Sequence, residues 1–255
     1  MIRVFILGTG KLAHHLVQAF KNTNVHLVGF YGRDEFKVDA FHKQHGLESY
    51  SSLASIPDYC DVYFLAVSDH AIESISNQIK VKGLLVHCAG MLPISILHAQ
   101  EHVGVFWPIQ SFSEHISVDF KSIPICIEAN SEENQRILES LADKISRNVY
   151  IMNQDQRQCL HVAAVFVNNF TNHLYSLMAD FLQTKKLPFD LLKPIILETA
   201  NKIIQHDPRL TQTGPASRKD ETSMDLHKKI LAEYPDLLNI YNVLSQSIFL
   251  HTENK

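Results

Sequence analysis

The run Met1-Ile-Arg-Val-Phe-Ile-Leu-Gly-Thr-Gly-Lys-Leu-Ala13 constrains the fold of this chain more than any other. Ile2 to Leu7 is a short apolar run that reads as a buried strand. Leu12, Leu16, Val17 and Phe20 then recur at helical spacing. Between strand and helix, Gly8, Gly10 and Ala13 stand at the spacing GxGxxG/A of a dinucleotide-binding turn. Gly8 permits the tight turn and Gly10 lets backbone N–H groups approach a pyrophosphate. Ala13 keeps the helix near the strand, and the helix N-terminus adds its positive dipole end. The expected cofactor contacts are therefore Gly8, Thr9, Gly10, Lys11, Leu12 and Ala13. The alternative is a tight strand-to-helix turn without a ligand.

The next strand, Val25 to Tyr31, ends in Gly32-Arg33-Asp34. An NAD site places an acid at this end to hold the ribose hydroxyl. Here Gly32 takes roughly that position and a guanidinium follows, which suits a 2′-phosphate through planar, multi-donor contact. NADP is thus favoured over NAD, with Gly32 and Arg33 as contacts. On the other reading Arg33 is a solvated turn residue and Asp34 is the ribose ligand or a helix N-cap.

Strand-like and helix-like runs continue to alternate. Asp61 to Val67 is a clear buried strand followed by Ser68-Asp69-His70 and a helix from about Ala71 to Ile79. Leu84 to Cys88 ends in His87-Cys88-Ala89-Gly90, and Val103 to Trp107 follows. Pro124 to Glu128 and Asn148 to Met152 add two further strands around a helix over 132–145. This alternation implies an α/β, doubly wound, mostly parallel sheet, in which ligands sit at the carboxyl ends of strands. Ala66, Val67, Ser68, His87, Ala89 and Gly90 would all lie on that edge. Plain helix-start chemistry at Asp69 and a packed strand-end histidine at His87 remain the alternatives.

After Asn153 no β-rich run remains, so residues 1–152 read as a dinucleotide-binding domain and 153–255 as an all-helical substrate and dimerisation domain. Helices are expected over about 154–184, 189–206, 219–234 and 236–251. At 3.6 residues per turn, His161, Asn168 and Asn172 fall in one narrow arc, with Asn169 rotated away. Such a polar stripe faces water or lines a polar cavity. In the second case His161 is the candidate acid, Asn168 a carbonyl-orienting donor and Asn172 a substrate contact. The long connection 207–220 contains Arg218, a candidate anchor for a substrate carboxylate or phosphate, and Ser217 with Asp220 in an N-cap pattern.

Composition narrows the classes of partner. The net charge is −4 without a long basic run, so nucleic acid is not an expected partner. No apolar stretch is long enough to span a bilayer, and the first apolar run is too short for a signal sequence, so no membrane association is expected. The four cysteines, Cys60, Cys88, Cys126 and Cys159, are widely spaced and suit a reducing cytoplasm. Among 15 histidines, the pairs His42/His45 and His98/His102 have metal-compatible spacing but lack a third ligand, so no metal is expected.

With these residues in view, the chain resembles the Rossmann-like proteins with a helical C-terminal domain of unknown function. That group is allied to pyrroline-5-carboxylate reductases, deazaflavin-dependent NADP reductases and β-hydroxyacid dehydrogenases. The resemblance rests on Gly8-x-Gly10-x-x-Ala13, Ala66-Val67-Ser68-Asp69, His87-Cys88-Ala89-Gly90 and Pro108-x-Gln110-Ser111-Phe112. It continues through His161 with Asn168-Asn169 and through Thr213-Gly214-Pro215 with Arg218, Asp220 and His227. It implies a homodimer through the helical domain. Three departures stand out: Trp107 replaces a common histidine, Ala89 a common serine, and Ala164 and Val165 occupy the turn where β-hydroxyacid dehydrogenases carry a lysine. The resulting expectation is an NADP-dependent oxidoreductase that reduces the C=O or C=N of a small acidic metabolite. The alternative is a non-catalytic, NADP(H)-binding regulatory protein.

Overall fold

A computed structural model describes residues 1–113, 116 and 118–253. Its eight strands are β1 (Ile2–Leu7), β2 (Val25–Tyr31), β3 (Ser49–Tyr50), β4 (Val62–Leu65), β5 (Leu84–His87), β6 (Val103–Pro108), β7 (Ile125–Ala129) and β8 (Val149–Ile151). They form one sheet in the order β3-β2-β1-β4-β5-β6-β7-β8. Every neighbouring pair is parallel except β6 and β7. The order reverses between β1 and β4, which makes a crevice at their carboxyl ends.

Both faces of this sheet are covered, as a parallel sheet requires. Along β1, Val4 and Ile6 belong to one apolar cluster, and Phe5 and Leu7 to the cluster on the opposite face. Helix α1 (Lys11–Lys21) buries Ala13, Leu16, Val17 and Phe20, one stripe at helical spacing. The connections α2 (Glu35–His45), α3 (Asp69–Gln78) and α4 (Glu132–Ile145) follow β2, β4 and β7. The short strand β3 lies within the segment 47–56, whose sequence has no clear period.

The helical part begins with α5 (Gln154–Ala164), capped by Asn153 in a reciprocal capping box with Gln156. A π-helical segment, Val165–Phe170, follows directly, then α6 (Thr171–Thr184). The change from strand to helix thus falls at 151–154, while the two compact units of the chain are Met1–Asn169 and Phe170–Lys255. Helix α5 belongs to the first unit because Arg157 and Leu160 pack on the sheet's residues.

The second unit contains α6, α7 (Lys193–Gln205), α8 (Pro208–Thr211), α9 (Glu221–Leu231) and α10 (Pro235–Glu253). The start of α9 corrects one expectation. Its N-cap is Asp220, whose carboxylate accepts from the backbone N–H and the hydroxyl of Ser223. Ser217 instead donates to the Gly214 carbonyl. Burial separates the two units sharply. Among the described residues of the second, Ala216 and Ser245 alone are buried. Ile195, Ile204, Leu210, Ile230 and Val243 are each more than half exposed.

Candidate functional site

The strand register builds the site. Leu7, Leu65, His87 and Val105 form one row across β1, β4, β5 and β6. The residues just past that row are the ones singled out by the sequence. Gly8 has φ +131°, in the region that favours glycine, and its N–H donates to the Tyr31 carbonyl at 2.7 Å. A Cβ there would overlap the Ala66 carbonyl, so the absent side chain lets β1 and β4 close at the crevice. Gly10 is different: a Cβ on it would meet nothing within 4 Å. It caps α1 with an extended backbone and no side-chain bond, so the helix's first N–H groups face open space. Ala13 is fully buried, Thr9 and Leu12 are half-buried, and Lys11 is exposed.

Gly32 brings the end of β2 against the same turn. A Cβ on it would lie 2.7 Å from Thr9 Cγ2 and 2.6 Å from Val38 Cγ2. Beyond it, a cavity of about 250 Å³ is lined by Gly32, Arg33, His42, Ser49 and Ser51 together with the acids Glu35 and Asp39. Asp34 accepts from the Lys37 backbone N–H at 3.1 Å and is the N-cap of α2. Asp34 therefore caps α2 through its Oδ1, and Arg33 is exposed beside the cavity. Ser49 and Ser51 were not legible beforehand because their segment has no strand period. A larger cavity, about 410 Å³, opens near the amino ends of the strands. Four of the charged residues lining it pair with one another, Arg3 with Asp61 at 2.8 Å and Lys82 with Asp58 at 2.7 Å.

On the β4 and β5 side, Val67 lies next to Gly8, and Ser68 precedes α3 with its hydroxyl 3.2 Å from His70 Nε2. Ala89 and Gly90 are buried at the end of β5. His87 is placed in the interior: its imidazole is fully buried, and its Nδ1 accepts from the Ala89 N–H at 3.2 Å. Burial, with the nearby charge of Arg157, pushes its pKa down to about 4, so it is neutral at ordinary pH.

His161 comes to this edge from α5. A Cβ on Gly90 would lie 2.6 Å from His161 Cδ2 and 2.8 Å from Trp107 Cε2. The His161 and Trp107 rings are 5.7 Å apart. Gly90, Trp107 and His161 thus form one packed group. The segment after β6 is tied to α1, with Ser113's carbonyl 3.1 Å from His15 Nε2.

The π-helical segment alters the polar stripe. Each of its residues advances about 80–85° around the axis in place of about 100°. Asn168 is therefore turned farther from the His161 direction than a uniform helix would put it, and Asn169 comes round toward that direction. Both amides are exposed. The reading of Asn169 as rotated away assumed an uninterrupted 3.6-residue turn, and nothing in Val165-Phe-Val-Asn-Asn-Phe170 announces the change. Asn172 and Arg218 lie in the second unit and are exposed there.

Among the described residues, no group of three or more histidine, cysteine, aspartate or glutamate side chains is arranged to hold a metal ion. Nor is any helix among them long and apolar enough to cross a membrane.

This is a Rossmann-type α/β unit joined to an all-helical unit. A family described as Domain of unknown function (DUF2520) matches residues 123–248. A Bacteroides fragilis protein, provisionally assigned as an NADP oxidoreductase, is 36% identical, with a TM-score of 0.89 over 97% of this chain and 98% of that one. The chain belongs to that family of Rossmann-like proteins with a C-terminal domain of unknown function. More distant structures share the fold alone. A pyrroline-5-carboxylate reductase from Streptococcus pyogenes is 13% identical, with a TM-score of 0.67 over 97% of this chain and 98% of that one. A pyrroline carboxylate reductase from Plasmodium falciparum with NADP bound is 14% identical, with a TM-score of 0.63 over 98% of each chain. No curated protein matches the sequence.

Proposed function

We propose that this protein is an NADP-dependent oxidoreductase that reduces the C=O or C=N of a small acidic metabolite. The observation that carries the reading is the contrast within one turn. Gly8 is forced by the packing of β1 on β4, whereas Gly10 faces open space at a helix N-terminus. That is the arrangement a pyrophosphate needs. The assignment of the Bacteroides fragilis relative supports the same class.

The residues present fit the cofactor along the strand ends. The Gly8–Ala13 turn would hold the pyrophosphate, and Arg33 with the hydroxyls of Ser49 and Ser51 would meet the 2′-phosphate. Ala66 to Ser68 and Ala89 to Gly90 would form the far wall. When bound, the nicotinamide supplies hydride, and the protein positions the substrate and moves a proton. His161 is the proposed proton donor, since a ring nitrogen of imidazole can hold and release a proton. Asn168 is the proposed orienting amide, with Asn169 as the alternative because the π turn rotates it toward the His161 direction. Residues 153–255, with Asn172 and Arg218, are proposed to supply the remaining substrate contacts. The scattered cysteines fit a cytoplasmic location.

Equilibrium titration with NADPH and NADH, on wild type and Arg33→Ala, tests the cofactor. NADPH is expected to bind tighter by on the order of tenfold, about 1.4 kcal/mol, and Arg33→Ala to erase the difference. If neither nucleotide binds at micromolar concentration, the oxidoreductase reading fails. Tight NADPH binding without turnover of any oxo acid or cyclic imine would instead favour an NADP(H)-responsive regulatory protein.

A homodimer through the helical domain belongs to the same proposal. A unit that buries almost none of its own side chains leaves its apolar helix faces for another surface. Sedimentation equilibrium is expected to give twice the chain mass for wild type. Ile195→Asp with Ile230→Asp is expected to shift it toward the monomer; a monomeric wild type would refute the dimer.

A further inference from the structure

Arg157, one turn into α5, is fully buried. One of its terminal nitrogens donates to the carbonyls of Gly90 and Leu92, both at 2.9 Å. The other donates to Glu128 at 2.8 Å. The next residue, Gln158, donates from its amide to the Met91 carbonyl at 2.8 Å. Three successive carbonyls are therefore held by two successive side chains of one helix. Among the described residues, no backbone-to-backbone hydrogen bond ties Gly90, Met91 or Leu92. The shape of this turn depends on α5.

A guanidinium is costly to bury, and this one keeps its Nε without a hydrogen-bond partner. Its planar fork nevertheless reaches two carbonyls and a carboxylate together, which the single nitrogen of a lysine cannot reproduce. His161 lies four residues on, on the same helix face, against Gly90 and Trp107.

We propose that Arg157, assisted by Gln158, is a positioning residue that clasps the 90–92 turn to α5 and so sets where His161 stands relative to Gly90 and Trp107. Its consequence for catalysis rests on the proposed role of His161. The placement itself does not.

Trp107 is the single tryptophan of the chain, so it reports on the imidazole beside it. An imidazolium quenches a neighbouring indole's emission more strongly than a neutral imidazole does. The experiment follows Trp107 emission against pH in wild type, His161→Gln, Arg157→Lys and Gln158→Ala, with a thermal melt of each. The other ionisable groups at the clasp are Glu128, His87 and the Cys126 thiol beside Trp107, and the His161→Gln control separates their effects from that of His161. Wild type is expected to show an emission step that His161→Gln abolishes, and folded Arg157→Lys to lose most of it. An unchanged step in folded Arg157→Lys, whatever its melting temperature, makes the arginine merely structural and overturns the proposal. A wild type without a His161-dependent step overturns it too. If Arg157→Lys does not fold, Gln158→Ala decides: a reduced step sustains the clasp and an unchanged one refutes it. The titration uses no nucleotide, so a failure of NADPH to bind bears on the proposed function alone.

Discussion

Replacing Gly8 with alanine is expected to cost the fold, whereas replacing Gly10 acts mainly on nucleotide binding. At Gly8 the new Cβ overlaps the Ala66 carbonyl and stands 2.8 Å from its carbon, at φ +131°. Those atoms are backbone at the junction of two central parallel strands, so no flexible side chain can yield. Relief requires β1 and β4 to separate where both are fully packed. Clash and left-handed strain together place the cost at about 3–5 kcal/mol, a large part of a typical domain's stability. At Gly10, φ is −84° and a Cβ meets nothing, so no clash arises. The gain from a stiffer unfolded chain is opposed by the loss of glycine's advantage over alanine as an N-cap, and the net change in stability should stay within about 1 kcal/mol. A pyrophosphate held by the first N–H groups of α1 would, however, be met by the added methyl. Urea unfolding and NADPH titration of both variants separate these effects. Unchanged unfolding of Gly8→Ala would mean that β1 and β4 do not close as described. Unchanged NADPH affinity of Gly10→Ala would place the phosphates elsewhere.

The sheet was largely legible because its strands are apolar runs separated by glycine-containing turns and amphipathic helices. Ile2 to Leu7 and Asp61 to Val67 stand out because both faces of a central parallel strand are largely buried, leaving few polar residues within them. Val25 to Tyr31, next to the edge strand and only partly buried, stands out instead by its β-branched and aromatic residues. β3 was not legible: two residues paired at an edge need no pattern of their own. The antiparallel β6–β7 pairing was equally silent, since strand direction is set by the path of the connection and not by composition.

The site was legible where main-chain geometry demands a residue type, and opaque where a side chain acts through tertiary contacts. Gly8 could be found because the GxGxxA spacing marks a turn where nothing larger fits against the Ala66 backbone. Arg157 could not: an arginine in the first turns of a helix reads as solvated, and its partners are two backbone carbonyls 65 and 67 residues away and a carboxylate 29 residues away. The one available signal was its position a turn before His161 on the same face. The π turn was hidden for a similar reason. It contains neither glycine nor proline, and a π-helical turn is decided by hydrogen bonding and packing.

The second large effect is expected on acidification. His45 and His87 are both buried, and both have a pKa lowered from 6.5 to about 4. At His87 the causes are burial and then the charge of Arg157. At His45 they are burial and then the neighbouring charges of His14 and Lys21. His45 Nε2 also lies 2.7 Å from His14 Nδ1, a distance at which one shared proton is favourable and two are not. For a base with a depressed folded pKa, the unfolded chain binds the proton first. The stabilisation is therefore complete above about pH 6.5 and is lost progressively as pH falls toward 4. The full gap corresponds to about 3 kcal/mol for each imidazole. Carboxylates held low by partners, such as Asp61 beside Arg3, contribute a loss of the same sign, but below their ordinary range near 3.8. Urea unfolding between pH 7 and 5 thus isolates the histidines. Wild-type stability should fall steadily across that window. His45→Gln and His87→Gln should each remove about half of the slope, whatever their effect on absolute stability. A flat profile in wild type would mean that neither imidazole is held neutral by the folded chain. A slope unchanged by His87→Gln would move His87 out of the buried position that it shares with the Arg157 clasp.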